Sequence, residues 1–134
     1  MVVIVVLIVI VLLFMVYPRF SKESDISDEE RTVHILRVYD SAFTLMQSDL
    51  GYFPETNEGM VAIYKNVNND MNWKGPYLGA LIEPKDIWGR VIVYRFPGKC
   101  KNNSDSKNYE LYSFGKNGID ECLGGDDIAV TKSK

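Results

Sequence analysis

The chain has 134 residues, 18 of them Asp or Glu and 15 Lys or Arg, giving a net charge of −3 and a pI near 5.1. That balance offers no basic stripe to a phosphate backbone and excludes nucleic acid as a partner. One histidine, two cysteines outside any Cys-x-x-Cys pattern and no Gly-rich loop opening a helix exclude a zinc cluster, a cysteine redox pair and a nucleotide-phosphate site.

The first seventeen residues, Met1 to Tyr17, carry no charged side chain, and Pro18 ends the run. As a helix rising about 1.5 Å per residue they span about 26 Å, close to a hydrocarbon thickness of about 30 Å. In lipid the backbone must satisfy its own hydrogen bonds, and a helix does so within one segment. A signal peptide would show a basic start and a small-residue cleavage site, and a buried strand would be shorter, about 4 to 8 residues. The run therefore reads as a transmembrane helix, residues 1–17, ahead of one small polar domain, residues 18–134. Arg19 and Lys22 after it would, by the positive-inside rule, face the cytoplasm.

A helix is predicted over about 27–50. Ser27 precedes Glu30 by three residues, a capping-box spacing, and Asp28 and Glu29 suit the positive end of the helix dipole. Leu36, Tyr39, Phe43, Met46 and Leu50 recur at alternating steps of three and four, one apolar stripe destined for the core, and Gly51 stops the helix. His34 lies among charged residues as a solvated side chain. With Pro18 carried as a kink, the two helices form one bent stalk or two in line.

Residues 51–90 are a loop region. Turn chemistry dominates at Gly51, Pro54, Asn57-Glu58-Gly59 and Asn68-Asn69-Asp70, with a short helix expected at Met60–Tyr64 that turns Met60, Ile63 and Tyr64 inward. Trp73 to Pro84 reads as a lid over the long helix. Two strands follow, Val91–Phe96 and Tyr109–Phe114, around a polar Gly/Asn/Ser-rich connection, making a small antiparallel sheet against the helix. Cys100 and Cys122 suit a disulfide in an exported domain, worth roughly 3 kcal/mol by chain entropy, or two buried thiols in a cytosolic one.

The stretch from Gly115 to Ile128 is rich in oxygen donors. Its four glycines free backbone carbonyls to turn inward, while Asn117, Asp120, Asp126 and Asp127 are hard ligands of the kind Ca²⁺ takes, about 6 to 8 at roughly 2.3 to 2.6 Å. Adjacent Asp126 and Asp127 repel unless a cation neutralises them. The spacing is not that of an EF-hand, and on residues alone a calcium loop and a solvated Gly/Asp turn both stand. No nucleophile–histidine arrangement or convergent acid–base site is legible, so the chain does not read as an enzyme.

The apolar N-terminus, Leu50-Gly51-Tyr52-Phe53-Pro54, Thr56-Asn57-Glu58-Gly59, Trp73-Lys74-Gly75-Pro76-Tyr77-Leu78, Asp86-Ile87-Trp88-Gly89-Arg90, Tyr94 with Pro97-Gly98, Tyr109-Glu110-Leu111-Tyr112-Ser113 and the Gly/Asp tail, in this order, resemble the major pseudopilins of type II secretion systems, the GspG family. The resemblance covers nearly the whole chain. It implies an α+β type IV pilin fold: a long N-terminal helix, half membrane-spanning and half amphipathic, packed on a small antiparallel sheet (residues 91–134) that ends in a calcium-binding loop. Carried over residue by residue, the family's calcium ligands fall on the side chain of Asn117, the carbonyls of Phe114 and Ile119, and the acidic pair Asp126 and Asp127; Asp120 is an additional candidate. Asn117 stands where the family has aspartate, which weakens binding by one charge. Ile87 and Arg90 replace the usual proline and asparagine, and a looser turn is expected there.

The resemblance also implies function. The chain would be a structural subunit, inserted in the bacterial inner membrane with its head in the periplasm, that polymerises with itself into a pseudopilus. Minor pseudopilins and an inner-membrane assembly platform would be its partners. The family's basic leader, glycine cut by prepilin peptidase, methylated phenylalanine and glutamate are expected ahead of Met1, since Met1–Val5 resembles the stretch after that glutamate; the alternative is that this copy is not processed. A leader would also remove the orientation conflict from Arg19 and Lys22. Other readings are a minor pseudopilin, a type IV pilin subunit or a membrane-tethered calcium-dependent binding module.

Overall fold

The computed structural model describes residues 26–79, 83–100 and 108–130, together with Val6. The predicted transmembrane helix (Val6 aside), the Pro18 kink and the middle of the inter-strand connection lie outside the described residues. Among the described residues no helix is long and apolar enough to cross a membrane.

Helix α1 spans Asp28–Leu50. Ser27, extended at φ −60° and ψ 155°, accepts a hydrogen bond from the Glu30 amide at 3.2 Å through its Oγ, filling one of the free N–H groups of the first turn. At the other end Gly51 adopts φ 80°, a left-handed conformation that glycine enters without a Cβ clash, and its amide bonds the Gln47 carbonyl at 2.8 Å. The predicted stripe lies inward: Leu36, Tyr39, Phe43 and Met46 are buried, and Leu50 packs at the rim. Thr32 and Ala42 join them, so the buried face is broader than the large apolar residues alone indicate.

Against this face lies an aromatic cluster. Phe43 stacks on Tyr94 with centroids 4.4 Å apart and touches Tyr109 at 5.5 Å, and Phe53 meets Tyr109 at 4.6 Å. Such offset contacts add to area burial. The hydroxyls are served: Tyr94 donates to the Pro54 carbonyl at 2.7 Å and Tyr109 to Asp40 Oδ1. Burial pushes both phenols well above their ordinary range.

Gly59–Ile63 is a 3₁₀ helix. Ile63 and Ala62 are buried, with Met60 and Tyr64 packed at the edge. The lid follows: Trp73 Nε1 donates to the Ala62 carbonyl at 3.1 Å, Tyr77 hydrogen-bonds Asp49 at 3.0 Å, and Lys74 pairs with the same carboxylate at 2.9 Å. The C-terminal end of α1 is thus clamped by the loop region.

Three antiparallel strands form the sheet in the order β1 (Val93–Arg95), β2 (Glu110–Ser113) and β3 (Ile128–Ala129). Val93 pairs with Tyr112 and Arg95 with Glu110; Ser113 pairs with Ile128. The first two strands are shorter than their β-rich runs, because the chain turns at Phe96-Pro97 and at Phe114-Gly115. The third is an addition to the two predicted strands, in a stretch expected to be loop and tail. Every residue of β2 is buried, Glu110 included, as befits a central strand.

Candidate metal centre in the C-terminal loop

The ladder pair Ser113–Ile128 makes residues 114–127 the connection between β2 and β3. All six metal-ligand candidates fall inside this one connection. Its ends are drawn together at Gly115, with φ 60°, where a Cβ would collide with the Asp126 carbonyl. Only glycine permits that approach.

Within the loop the carboxylates organise the backbone. Asp126 Oδ2 accepts from the Asn117 amide at 2.8 Å, and Asp127 Oδ2 accepts from the amides of Glu121 at 3.1 Å and Leu123 at 2.9 Å. The second oxygen of each, Oδ1 of Asp126 and Oδ1 of Asp127, is buried without a hydrogen-bond partner. Two orphaned anionic oxygens on adjacent residues are costly unless a cation meets them. Burial pushes the Asp127 carboxyl above its usual range, whereas the Asn117 amide holds that of Asp126 below it.

Asn117 Oδ1 accepts from the Ile119 amide at 2.7 Å, and its Nδ2 donates to Glu121 Oε2 at 3.2 Å. The Phe114 carbonyl accepts from the Gly118 amide at 3.2 Å and keeps a second lone pair. Asp120 is differently engaged. Its Oδ2 pairs with Arg95 at 2.7 Å, and its Oδ1 accepts from Tyr112 and from the Cys122 amide. The Arg95 guanidinium holds this carboxyl below the usual range. Among the described residues no three of the His, Cys, Asp and Glu side chains are gathered as metal ligands would be, so a cation site here depends on the two orphaned carboxylates, the Asn117 amide oxygen and carbonyls.

Besides the bonds from Asp120 to β1 and β2, two fastenings hold the loop, one from the β1–β2 connection and one from the turn before β1. Cys100 and Cys122 are joined in a disulfide, with Cα atoms 5.1 Å apart. Cys122 and Leu123 adopt φ 55° and 62°, unusual for residues with side chains, and the bond from Leu123 to Asp127 together with the disulfide keeps them there. The second fastening was not foreseen. The Asp86–Arg90 turn is tight rather than loose: Asp86 Oδ1 accepts from the amides of Trp88 and Arg90 at 3.0 and 2.9 Å, and Oδ2 accepts from Ser113 Oγ at 2.6 Å. Buried Asp86 thereby closes the turn with Ile87 in place. Arg90 then reaches from the turn to donate to the Gly115 carbonyl. An acidic residue opening a turn was the only sequence signal available, and it did not point to the distant loop.

A family model for protein G of the type II secretion system matches residues 19–131. The chain belongs to that family. Among solved structures, the crystal structure of the major pseudopilin from the type 2 secretion system of enterohaemorrhagic Escherichia coli superposes with a TM-score of 0.56 at 20% identity, over 76% of this chain and 84% of that one. At that identity the likeness establishes the fold: one helix packed on a small antiparallel sheet, the pilin-like arrangement. Comparison with curated protein sequences gives no match.

Proposed function

We infer that the chain is a structural subunit of a type II secretion pseudopilus, polymerising with itself and engaging minor pseudopilins and the inner-membrane assembly platform, without chemistry of its own. The observation that carries this reading is the family match over residues 19–131. Met1–Tyr17 is then the inner-membrane helix before assembly and the filament core afterwards. The head stands in the periplasm, an oxidising compartment in which a Cys100–Cys122 bridge persists.

Calcium belongs to the same reading. The buried, unpartnered Oδ1 atoms of Asp126 and Asp127 fit a cation, and an all-oxygen donor set fits Ca²⁺ rather than a softer metal. Asp126, Asp127, the Asn117 amide oxygen and the carbonyls of Phe114 and Ile119 would hold it; Asp120 is better placed as the partner of Arg95. Bound there, the ion supplies positive charge between adjacent carboxylates and stabilises the folded loop by mass action.

Polymerisation is tested with photo-crosslinking residues at Val38 and Leu45, exposed apolar positions on α1, in the full chain expressed in cells carrying the secretion genes. A ladder of self-linked species beyond the dimer is expected. Exclusively monomeric protein in those cells would remove the filament reading.

A further inference from the structure

Asn117-Gly118 is the one Asn-Gly pair in the sequence, and it lies in the loop between β2 and β3. Glycine is the residue that least obstructs attack by its own amide nitrogen on a preceding asparagine side chain, because it has no Cβ and enters unusual backbone conformations freely. Gly118 stands at φ 72°. Every other asparagine is followed by a residue with a side chain, among them Val67, Asp70, Trp73 and Tyr109.

The groups around the Asn117 carboxamide match the needs of that attack, which begins once the Gly118 N–H leaves the Phe114 carbonyl, to which it donates at 3.2 Å. Charge would develop on Oδ1, and the Ile119 amide already donates to Oδ1 at 2.7 Å, in the position of an oxyanion donor. The departing nitrogen, Nδ2, donates to Glu121 Oε2 at 3.2 Å, which orients the carboxamide and settles which end is oxygen. On the nucleophile's side the Arg90 guanidinium packs over Gly118, where a Cβ would lie 3.1 Å from Nη1, and its positive charge favours loss of the amide proton. Asn117 itself is exposed, so water reaches it.

The geometry points to Asn117 as a site of spontaneous modification, in which the folded loop converts this asparagine to aspartate. The Gly118 amide loses its proton and forms a bond to Asn117 Cγ; the Cγ–Nδ2 bond breaks and Nδ2, taking up a proton, leaves as ammonia. The resulting five-membered imide then adds one water. Opening at Cγ gives aspartate in the normal chain, and opening at the main-chain carbonyl gives the isomer linked through the side chain. The net change is asparagine plus water to aspartate plus ammonia, with nothing oxidised or reduced. The consequence for metal binding rests on the calcium reading above: only opening at Cγ puts an aspartate side chain where this chain has an amide, so that fraction of the protein would gain affinity with age.

The test follows the full chain in detergent micelles at neutral to mildly alkaline pH, by peptide mass mapping and ammonia release, beside the same chain unfolded in urea. A mass gain of about one unit localised to Asn117, at a rate within about tenfold of the unfolded chain and abolished in Asn117→Gln, is expected. Retention of the amide in the folded chain, conversion more than about tenfold slower than in urea, or conversion at other asparagines instead would overturn the proposal. The Asn117→Asp variant, read by calcium titration, separates the two ideas: if it binds Ca²⁺ no more tightly than the parent, the calcium reading falls while the mass record still decides the conversion.

Discussion

The face of α1 and the β2–β3 connection are held by opposite means. Around Phe43, aromatic rings from Tyr94, Tyr109 and Phe53 close on the helix with their hydroxyls satisfied, and that region is complete within the chain. The connection has almost no apolar filling. Its carboxylates fold the backbone around themselves and leave two buried oxygens over, so its closure depends on the disulfide, on arginines from elsewhere and, in our reading, on a cation. Apolar packing stabilises without a partner; inward-turned charge needs one.

Four measurements sharpen or break this contrast. Phe43→Ala removes a fully buried ring and is expected to cost roughly 3–5 kcal/mol in urea unfolding of the full chain in micelles; a loss below about 1 kcal/mol would mean that the aromatic cluster is not what holds the head. Replacing both Cys100 and Cys122 with serine frees the closed segment and is expected to lower stability by about 3 kcal/mol, with the Phe43 cluster intact by near-ultraviolet dichroism.

Calcium at a hundredfold excess over Kd is expected to stabilise by about 2.7 kcal/mol, and a chelator to reverse it. Asp127→Asn is expected to abolish that response, whereas Phe43→Ala retains it; an equal response in the Asp127 variant would place the ion elsewhere or nowhere. The smallest effect belongs to Asp49, whose carboxyl the Lys74 ammonium holds below its usual range. A depressed folded value means that the contribution is present above the ordinary carboxylate range and is lost as pH falls through the folded value. Lys74→Ala is therefore expected to raise the acid-unfolding midpoint slightly. Because Lys74 is 73% exposed, moderate salt is expected to erase the difference, and a difference that survives salt would contradict a surface pairing.

What could be read along the chain depended on range. The Ser27 cap, the Leu36–Met46 stripe and the Gly51 stop are local, governed by helix periodicity and by free N–H and C=O groups within a turn. The sheet was legible as two β-rich runs, but β3 is two residues long and exists only because Ser113 and Tyr112 offer it a ladder. The oxygen-rich loop was visible by composition, yet composition could not divide its carboxylates. Asp120 goes to Arg95 and Tyr112, because two strands bring those partners to it, whereas Asp126 and Asp127 go to amides of their own loop. Buried Asp86 and Glu110 were illegible for the same reason: their donors, Ser113 for Asp86 and the Cys100 amide for Glu110 Oε1, come from other segments, and Glu110 Oε2 is buried without one.

By itself, then, the amino-acid sequence determined the helix, its inward face, the order of turns and strands, and the presence of a Gly/Asp loop, since each follows from residues a few positions apart. Tertiary structure alone decided that this loop joins two paired strands, that Arg90 and Arg95 anchor it, and that one oxygen of Asp126 and one of Asp127 are left buried and unpartnered. The reason is physical: burial and charge compensation depend on what packs alongside, and no periodicity within a single segment carries that information.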